Sequence, residues 1–422
     1  MTNEVLQTAA QTLPHVSGYV YPNEQNVVWS VLIVLYPYIT GLVAGAFILA
    51  SLVRVFRVTS LEPAYRLCLL TSLAFLLGAP LPLLFHLGHP ERCYEAMMTP
   101  HMTSPMAMFG FVYAWYLMVV LLLELWFDYR RDFVKWGRVT PGWKGWMYRI
   151  FTLGVTDLSE KALHFDHQAS KVITVIGIPS AILLHGYVGF IFGSIKANPL
   201  WGNVLMPIIF ILSAIVSGVA LCLFMYMVLC WIRRQPVDMA CLDSMARALF
   251  AALLVAAAVE GLDWFHRIYE AEESIAILKQ LAVGKLFNTL IITQAILGAL
   301  LPLLLLGFTL LSLTSFFRHR FAHELFPVVR RRIYFLSSVL VLIGVLAMRW
   351  NVVIGGQLFS KSLRGFTTYM MELGGHEGWG MAVVLLIFPF VLLAVFIRLF
   401  LPEKPPAGGA PTEQSRPAEA AA

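Results

Sequence analysis

The feature that most constrains this chain is a series of apolar runs, each about twenty residues or longer, separated by charged connectors. A helix rising about 1.5 Å per residue needs roughly twenty such residues to cross a hydrocarbon core of about 30 Å. Composition agrees, since 59% of the 422 residues are hydrophobic and 13% are charged. The sequence therefore predicts an all-α polytopic membrane protein with about nine transmembrane helices. The predicted spans lie near 27–56, 66–86, 104–127, 170–195, 202–232, 243–263, 284–316, 333–355 and 379–401.

The distribution of positive charge predicts how these helices are oriented. Of the 30 Lys and Arg residues, 22 lie on one alternating set of connectors, seven lie on the other set, and Arg349 lies inside a span. Because positive connectors stay in the cytoplasm, we expect a periplasmic amino terminus and a cytoplasmic carboxyl terminus in a bacterial inner membrane. This basic edge also explains the net charge of +6. The bilayer is the partner that it predicts, and nucleic acid is not needed as one.

The chain is expected to divide into three parts. Residues 1–26 form an extracytoplasmic segment, residues 27–401 form the transmembrane domain, and the Pro/Ala/Gly-rich residues 402–422 form a disordered cytoplasmic tail. The longest cytoplasmic connector, about 129–169, carries Trp and Tyr among basic residues. That pattern is typical of an amphipathic segment at the headgroup level, and it equally suits a docking surface for a partner.

A faint internal repeat relates the first span to the fifth. The segment ITGLVAGAFILA (39–50) resembles AIVSGVALCLFM (214–225), which indicates two four-helix bundles plus an extra helix. Both segments contain small residues, which let membrane helices approach closely. We interpret these small residues as helix-packing positions, and they are Gly41, Gly45, Ala214 and Gly218.

Ionisable side chains within the spans are few and unevenly placed. Each costs about 2.5–3.5 kcal/mol at the bilayer centre, so each needs a partner, a water-filled cavity or a function. With the helix directions deduced above, nearly all of them fall at one depth, near the external face, and we expect a single polar pocket there. They are His185, Glu260, Asp263 and Arg349 within spans, with His86 and His89 on the adjacent outer connector.

A quinol suits a pocket of this kind. Its oxidation needs a hydrogen-bond acceptor for each hydroxyl and a route for the protons, which His and carboxylate groups provide near neutral pH. Aromatic side chains such as Tyr36 and Tyr187 are available as walls for a flat ring.

Structural explanations of the same residues stay open at this point. His185 is equally well explained as a core histidine bonded to a neighbouring carbonyl group. Glu260, Asp263 and Arg349 are as readily a structural ion pair as a proton relay. The outer-connector histidines are the weakest candidates, because solvated loops often contain them.

Missing motifs narrow the chemistry further. The five cysteines form no C-x-x-C and no C-x-x-C-H motif, so neither an iron–sulfur ligand set nor a c-type haem attachment is predicted. A transmembrane b-type haem usually takes two facing histidines, and of eleven histidines only His185 lies plainly at membrane depth. The sequence therefore predicts no haem, no iron–sulfur cluster and no metal site in this chain.

Four segments in order resemble the NrfD-type polysulfide reductase membrane subunit family. They are YPYITGLVAGAF, LGHPER followed by TSPMAMFG, HGYVGFIFGSIKANPLW leading into LMPIIFILSAIVSG, and RWNVVIGGQ. The likeness covers roughly residues 27–401. The ninth span and the RWNVVIGGQ segment look closer to the branch with sulfite-reduction-associated (DsrP) and hydrogenase-associated (HybB) members than to the eight-helix polysulfide reductase subunit.

The resemblance implies a subunit of a respiratory oxidoreductase complex in sulfur-compound or related anaerobic metabolism. Such a subunit binds menaquinone or ubiquinone near the periplasmic face. It exchanges electrons with an iron–sulfur subunit, which connects to a catalytic subunit of the molybdopterin or sulfite-reduction-associated kind. The subunit does not itself act on the terminal substrate.

The resemblance also points to particular residues. It implies His185 and Tyr187 as quinone contacts. His86 is a further quinone-binding candidate, at a position where members often have an aspartate. Arg349 joins the quinone-binding candidates on account of its depth. The candidates for a proton relay are Glu260, Asp263 and His89.

A second function remains as an alternative: a secondary transporter or a proton-conducting channel, with Glu260, Asp263 and Arg349 as translocation residues. Transporters are expected to carry polar residues toward both faces. Here the inner halves of most spans are nearly pure Leu, Val, Ile and Phe, with Glu124 as the main exception. The one-sided distribution favours quinone chemistry.

Overall fold

Helices make up nearly all of the structure, a computed structural model that describes residues 27, 29–99, 112–113, 115–270, 274–314, 327–360, 363 and 365–402. Eight helical segments in this part of the chain are long and apolar enough to cross a membrane. The described residues form no strand beyond an isolated bridge between Phe359 and Phe366. The all-α polytopic class predicted from the sequence is confirmed.

The helices of the described spans follow the predicted apolar runs, and further short helices lie in the connectors. They are α1 (Val31–Arg54), α2 (Glu62–Gly78), α3 (Leu81–His86), α4 (Leu122–Val139), α5 (Gly142–Phe151), α6 (Glu160–Gly193), α7 (Met206–Ile232), α8 (Met239–Glu270), α9 (Ile275–Val283), α10 (Leu301–Ser312), α11 (Pro327–Trp350) and α12 (Trp379–Phe400). Three π-helical segments adjoin them: Trp115–Leu121 before α4, Phe287–Leu300 before α10, and Asn351–Gly355 after α11.

Some of the sequence predictions fall outside the described residues. The third predicted span, 104–127, is described from the π-helical Trp115–Leu121 segment into α4, whereas residues 100–111 and 114 lie outside the description. The predicted segment 1–26 and nearly all of the predicted tail 402–422 also lie outside it. The total of nine spans, which depends on this third one, and the division into two four-helix bundles stay predictions.

The fourth span begins earlier than the apolar run suggested. The run starts near 170, but α6 begins at Glu160. The preceding residue, Ser159, caps the helix, and its hydroxyl accepts a hydrogen bond from the Ala162 backbone amide. A serine cap of this kind satisfies one of the free amides at a helix start. The first turns of α6 are polar and include Asp166, which pairs with Arg130 of α4. Hydropathy cannot detect such a polar extension.

The predicted connector 129–169 is helical over much of its length. α4 runs on to Val139, α5 covers Gly142–Phe151, and α6 begins at Glu160. Trp143 and Trp146 of α5 are exposed, whereas Tyr148 is buried and donates a hydrogen bond to the Leu399 carbonyl of α12. One face of α5 thus packs against the end of the helix bundle, and the opposite face is exposed.

The first and fifth spans, α1 and α7, pack at backbone distance. A Cβ built on Gly45 would collide with the Ala214 carbonyl and lie 2.8 Å from the Gly218 Cα. Gly41 lies further along the same face, where a Cβ would be 3.5 Å from the Ala214 Cα. The helix-packing interpretation of these small residues is confirmed.

The bundle has two chemically different ends. One, which we call the basic end, holds Arg54, Arg66 and Asp128 in a single cluster. At the opposite end, the Trp201 indole donates to the Val352 carbonyl over 2.6 Å, and the Asn198 amide donates to the Gly356 carbonyl over 2.7 Å. These contacts join two of the four segments that carry the resemblance.

Candidate functional site

The most unusual buried group in the membrane part of the protein is the guanidinium of Arg349, near the carboxyl end of α11. Arg349 and His185 of α6 are both 0% exposed. Nη2 of Arg349 lies 2.9 Å from Nε2 of His185 and 2.6 Å from Oγ of Ser213. Two of the residues predicted from depth alone therefore meet directly, across 164 residues of sequence.

The direction of this hydrogen bond determines which nitrogen of the His185 ring carries the proton. A guanidinium has donors only, so Nε2 of His185 must accept. In the neutral ring the proton then lies on Nδ1. Among the described residues, this buried nitrogen has no hydrogen-bond partner, and neither has Nε of Arg349. Leaving a buried polar atom unpaired costs roughly 1–3 kcal/mol, so this pair of donors is suited to an acceptor on a bound ligand.

Aromatic side chains form the surroundings of this pair. The guanidinium carbon of Arg349 lies 4.0 Å from the ring centroid of Phe210, a cation–π arrangement. The His185 ring also stacks with the Phe210 ring, at 5.7 Å between centroids and 24° between planes. Tyr36 and Tyr187 belong to the same hydrophobic cluster as Phe210. A flat, largely apolar ring with polar oxygens matches such walls.

Gly41 of α1 lies directly against the His185 ring. A Cβ at this position would lie 3.2 Å from Cε1 and 3.3 Å from Nε2 of His185, tighter than ordinary van der Waals contact. The absence of a side chain at Gly41 is what gives the imidazole room to reach Arg349. A helix-packing residue thus also positions the site.

Glu260 takes part in a neighbouring polar chain. Nε2 of Gln294 donates to Glu260 over 3.1 Å, and Oε1 of Gln294 accepts from Nδ2 of Asn351 over 2.8 Å. Asn351 is buried, and its Oδ1 has no hydrogen-bond partner in the part of the chain that the structure describes. Gln294 and Asn351 both stand on π-helical segments. Such segments are frequent at functional sites, and hydropathy gives no signal for them.

Asp263 has a different partner from the one considered in the sequence. It pairs with Arg267 one turn along α8 over 3.1 Å and accepts from Asn203. Arg267 in turn donates to the Pro199 carbonyl over 2.5 Å. Asp263 therefore pairs with Arg267 and not with Arg349, which binds His185 and Ser213.

The outer-connector histidines stand apart from the His185–Arg349 pair in their contacts. Nδ1 of His86 lies 3.0 Å from a Glu377 carboxylate oxygen, which joins two connectors. His89 is 76% exposed at its side chain and pairs with the adjacent Glu91. The single pocket expected from depth is thus divided into separate groups of contacts.

A second buried cluster, at the basic end, was largely missed in the sequence. The Glu124 carboxylate is 0% exposed and accepts from Thr174 over 2.7 Å and from Tyr65 over 3.1 Å. Beside it, the Asp128 carboxylate accepts from both Arg54 and Arg66. The only sequence signal was Glu124 itself, since arginines at a basic edge are unremarkable one by one.

No group of three or more His, Cys, Asp or Glu side chains in the described ranges could hold a metal ion. Two cavities at the basic end have linings that include neither His185 nor Arg349. The candidate site is therefore defined by its polar side chains and their aromatic walls.

Comparison with known proteins adds a family and three relatives. The family model described as polysulphide reductase, NrfD, matches residues 20–361. The chain is 36% identical over 205 residues to a selenate reductase subunit of Mesobacillus selenatarsenatis, covering 47% of each chain. It is 29% identical over 204 residues to a putative dimethyl sulfoxide reductase membrane subunit of Halobacterium salinarum, covering 46% of this chain and 42% of that one.

A third relative is protein NrfD of Escherichia coli, 29% identical over 204 residues, which are 47% of this chain and 59% of that one. The chain spans about half the length of the curated relatives it matches.

Proposed function

Because the chain belongs to the NrfD polysulphide reductase family, we propose that it is the membrane subunit of a respiratory reductase complex and exchanges electrons between a quinone and an iron–sulfur partner. It is a multi-pass membrane protein, as the family and eight apolar helices show. Two relatives are named as subunits of selenate and dimethyl sulfoxide reductases, which supports a role beside a separate catalytic subunit.

The observation that carries the proposal is the buried His185–Arg349 pair with its two unpartnered donors. A bound quinone supplies carbonyl oxygens that accept hydrogen bonds, and its reduced form supplies two electrons and two protons. Nδ1 of His185 and Nε of Arg349 are the atoms that would bind such an oxygen. Phe210, with Tyr36 and Tyr187 in the same cluster, would enclose the ring and exclude water.

The residues around this pair are assigned supporting roles. Ser213 and Gly41 hold Arg349 and His185 in position. Glu260, through Gln294 and Asn351, is the group best placed to hold or pass on a proton, since a carboxylate near the external face can exchange it with the outer compartment. The periplasmic position of the site follows from the expected orientation of the helices.

A second candidate, proton conduction across the membrane, is favoured by one observation. Glu124 and its hydroxyl partners are buried near the basic end, so polar groups occur toward both ends of the bundle. Thr174 and His185 lie on the same helix, eleven residues apart, which is roughly 16 Å along its axis. The two candidates are compatible if quinone turnover drives protons toward Glu124.

Gentle purification from the native membrane tests the proposal. We expect co-purifying subunits, iron in those subunits and stoichiometric extractable quinone. A protein isolated alone, without iron or quinone, and able to dissipate a pH gradient in liposomes would instead favour proton conduction.

A further inference from the structure

A large open cavity lies at the basic end, between the carboxyl end of α7 and the amino end of α11. Its volume is about 1080 Å³. Its lining includes Arg234, Arg331 and Arg332 together with the apolar side chains of Trp231, Ile232 and Phe335. The cavity thus combines cationic and apolar side chains, and none of its residues takes part in the His185–Arg349 site.

The described residues around this cavity do not neutralise its positive charge. Arg330 is buried and pairs with Asp243 over 2.9 Å, while Tyr334 donates to the same carboxylate over 2.8 Å. The Asp243 carboxylate is therefore already paired with Arg330 and Tyr334. Within the described part of the chain, no ion pair joins the exposed Arg234, Arg331 or Arg332 to a carboxylate.

The apolar side chains of the cavity are exposed and rigidly supported. Trp231 is 80% exposed, Ile232 64% and Phe335 43%. The Phe335 ring packs against Phe224 of α7 at 5.3 Å between centroids. Arg331 and Phe335 are four residues apart on α11 and share one face of the helix. Phe335 therefore lies one turn, about 6 Å, nearer the middle of the bundle than Arg331.

This order of groups matches the order of groups in a phospholipid. Arginines bind phosphate oxygens through paired N–H donors, and basic pockets between transmembrane helices bind anionic headgroups. Below the phosphate, the glycerol and first acyl carbons would meet Phe335, Ile232 and Trp231. A neutral lipid would leave three arginines uncompensated, and a soluble anion would leave the apolar side chains exposed.

We propose that this cavity binds an anionic phospholipid of the leaflet at the basic end, with the phosphate on Arg234, Arg331 and Arg332. The site is independent of the quinone proposal, because it shares no residue with it. Its occupant would contact both α7 and α11, and α11 carries Arg349 at its other end.

Native mass spectrometry of the full chain tests this site. Delipidated protein in detergent is titrated with phosphatidylglycerol and with phosphatidylcholine of identical acyl chains. We expect the wild type to prefer phosphatidylglycerol by about tenfold or more, as basic residues near a membrane surface attract anionic lipid. The variant R234Q/R331Q/R332Q is expected to lose that preference. The single variant R331Q, at an exposed position, is expected to lose part of it.

The matched control is R57Q/R131Q, which removes two exposed arginines from outside the cavity. It is expected to keep the wild-type preference. A triple variant that folds and retains that preference would overturn the proposal, as would a wild type without one. If the triple variant instead keeps its lipid preference and loses a co-purifying protein, the surface belongs to a partner subunit and the lipid assignment is wrong.

Discussion

Arg349 donates a hydrogen bond to Nε2 of His185 across 2.9 Å in a part of the bundle where both side chains are completely buried. This relationship links α11 to α6 and leaves Nδ1 of His185 as a donor without a partner among the described residues. Because the two residues act together, removing either one should impair the same step.

Replacing Arg349 by Met should lower quinol-dependent turnover of the assembled complex by about 10- to 100-fold. The reason is that a hydrogen bond to a charged group contributes about 1.5–3 kcal/mol, and Nε2 of His185 would lose its donor. Steady-state kinetics with a soluble quinol measures this. Arg92→Gln, on the exposed outer connector, should leave turnover unchanged; an equal loss in both variants would contradict a specific role.

Replacing Glu260 by Gln should slow turnover while leaving the KM for quinol nearly unchanged. The amide can keep a hydrogen bond to Gln294 but cannot hold a proton, and general acid–base groups contribute about 10²–10⁴-fold. The readout is kcat and its solvent isotope effect. Glu270→Gln, at the exposed end of the same helix, is the control. A raised KM at constant kcat would show that Glu260 binds the quinone and does not relay protons.

Replacing Gly45 by Ala should destabilise the protein by roughly 1–3 kcal/mol, the usual cost of overpacking a close contact. The added methyl group would collide with the Ala214 carbonyl. Gly261→Ala is the matched control, because a Cβ there meets no atom within 4 Å. Thermal unfolding in detergent should show a lower midpoint for Gly45→Ala only. Equal midpoints would mean that α1 and α7 are not packed as described.

Replacing Asp128 by Asn should destabilise the basic end by about 3–5 kcal/mol, because Arg54 would keep its charge without a carboxylate partner and Arg66 would keep only its ion pair with Asp132. Thermal unfolding and protease sensitivity of the α4–α6 connector measure the effect. Glu160→Gln changes an exposed carboxylate at the same end and should be nearly neutral. A stable Asp128→Asn protein would show that the cluster contributes little.

Hydropathy predicted the described spans because lipid demands long apolar helices wherever the chain crosses it. It did not predict the start of α6 at Glu160, ten residues before the apolar run begins. The ion pair between Asp166 and Arg130 stabilises this polar extension. Hydrophobicity alone could not locate the start of α6. The helical spacing of polar side chains outside the bilayer would have been needed.

The sequence predicted the depth of the candidate site residues in the membrane, but it did not predict which side chains contact each other. Depth placed His185 and Arg349 at one level, yet their rotation about the helix axes depends on how α6 and α11 pack. The π-helical segments that hold Gln294 and Asn351 likewise change the direction in which those two side chains point. Arg267, the partner of Asp263, lies four residues further along α8, a spacing at which helical side chains meet. Glu377, the partner of His86, lies on a distant connector, where no periodic pattern indicates which side chains meet.

The most direct test of the quinone site is quinone binding to the purified complex with His185 replaced by Ala, compared with His266→Ala at an exposed position of α8. We predict that His185→Ala assembles normally, loses bound quinone and loses quinol-dependent turnover, whereas His266→Ala retains both. An assembled His185→Ala complex with wild-type quinone content and turnover would contradict the assignment of this pair as the quinone site.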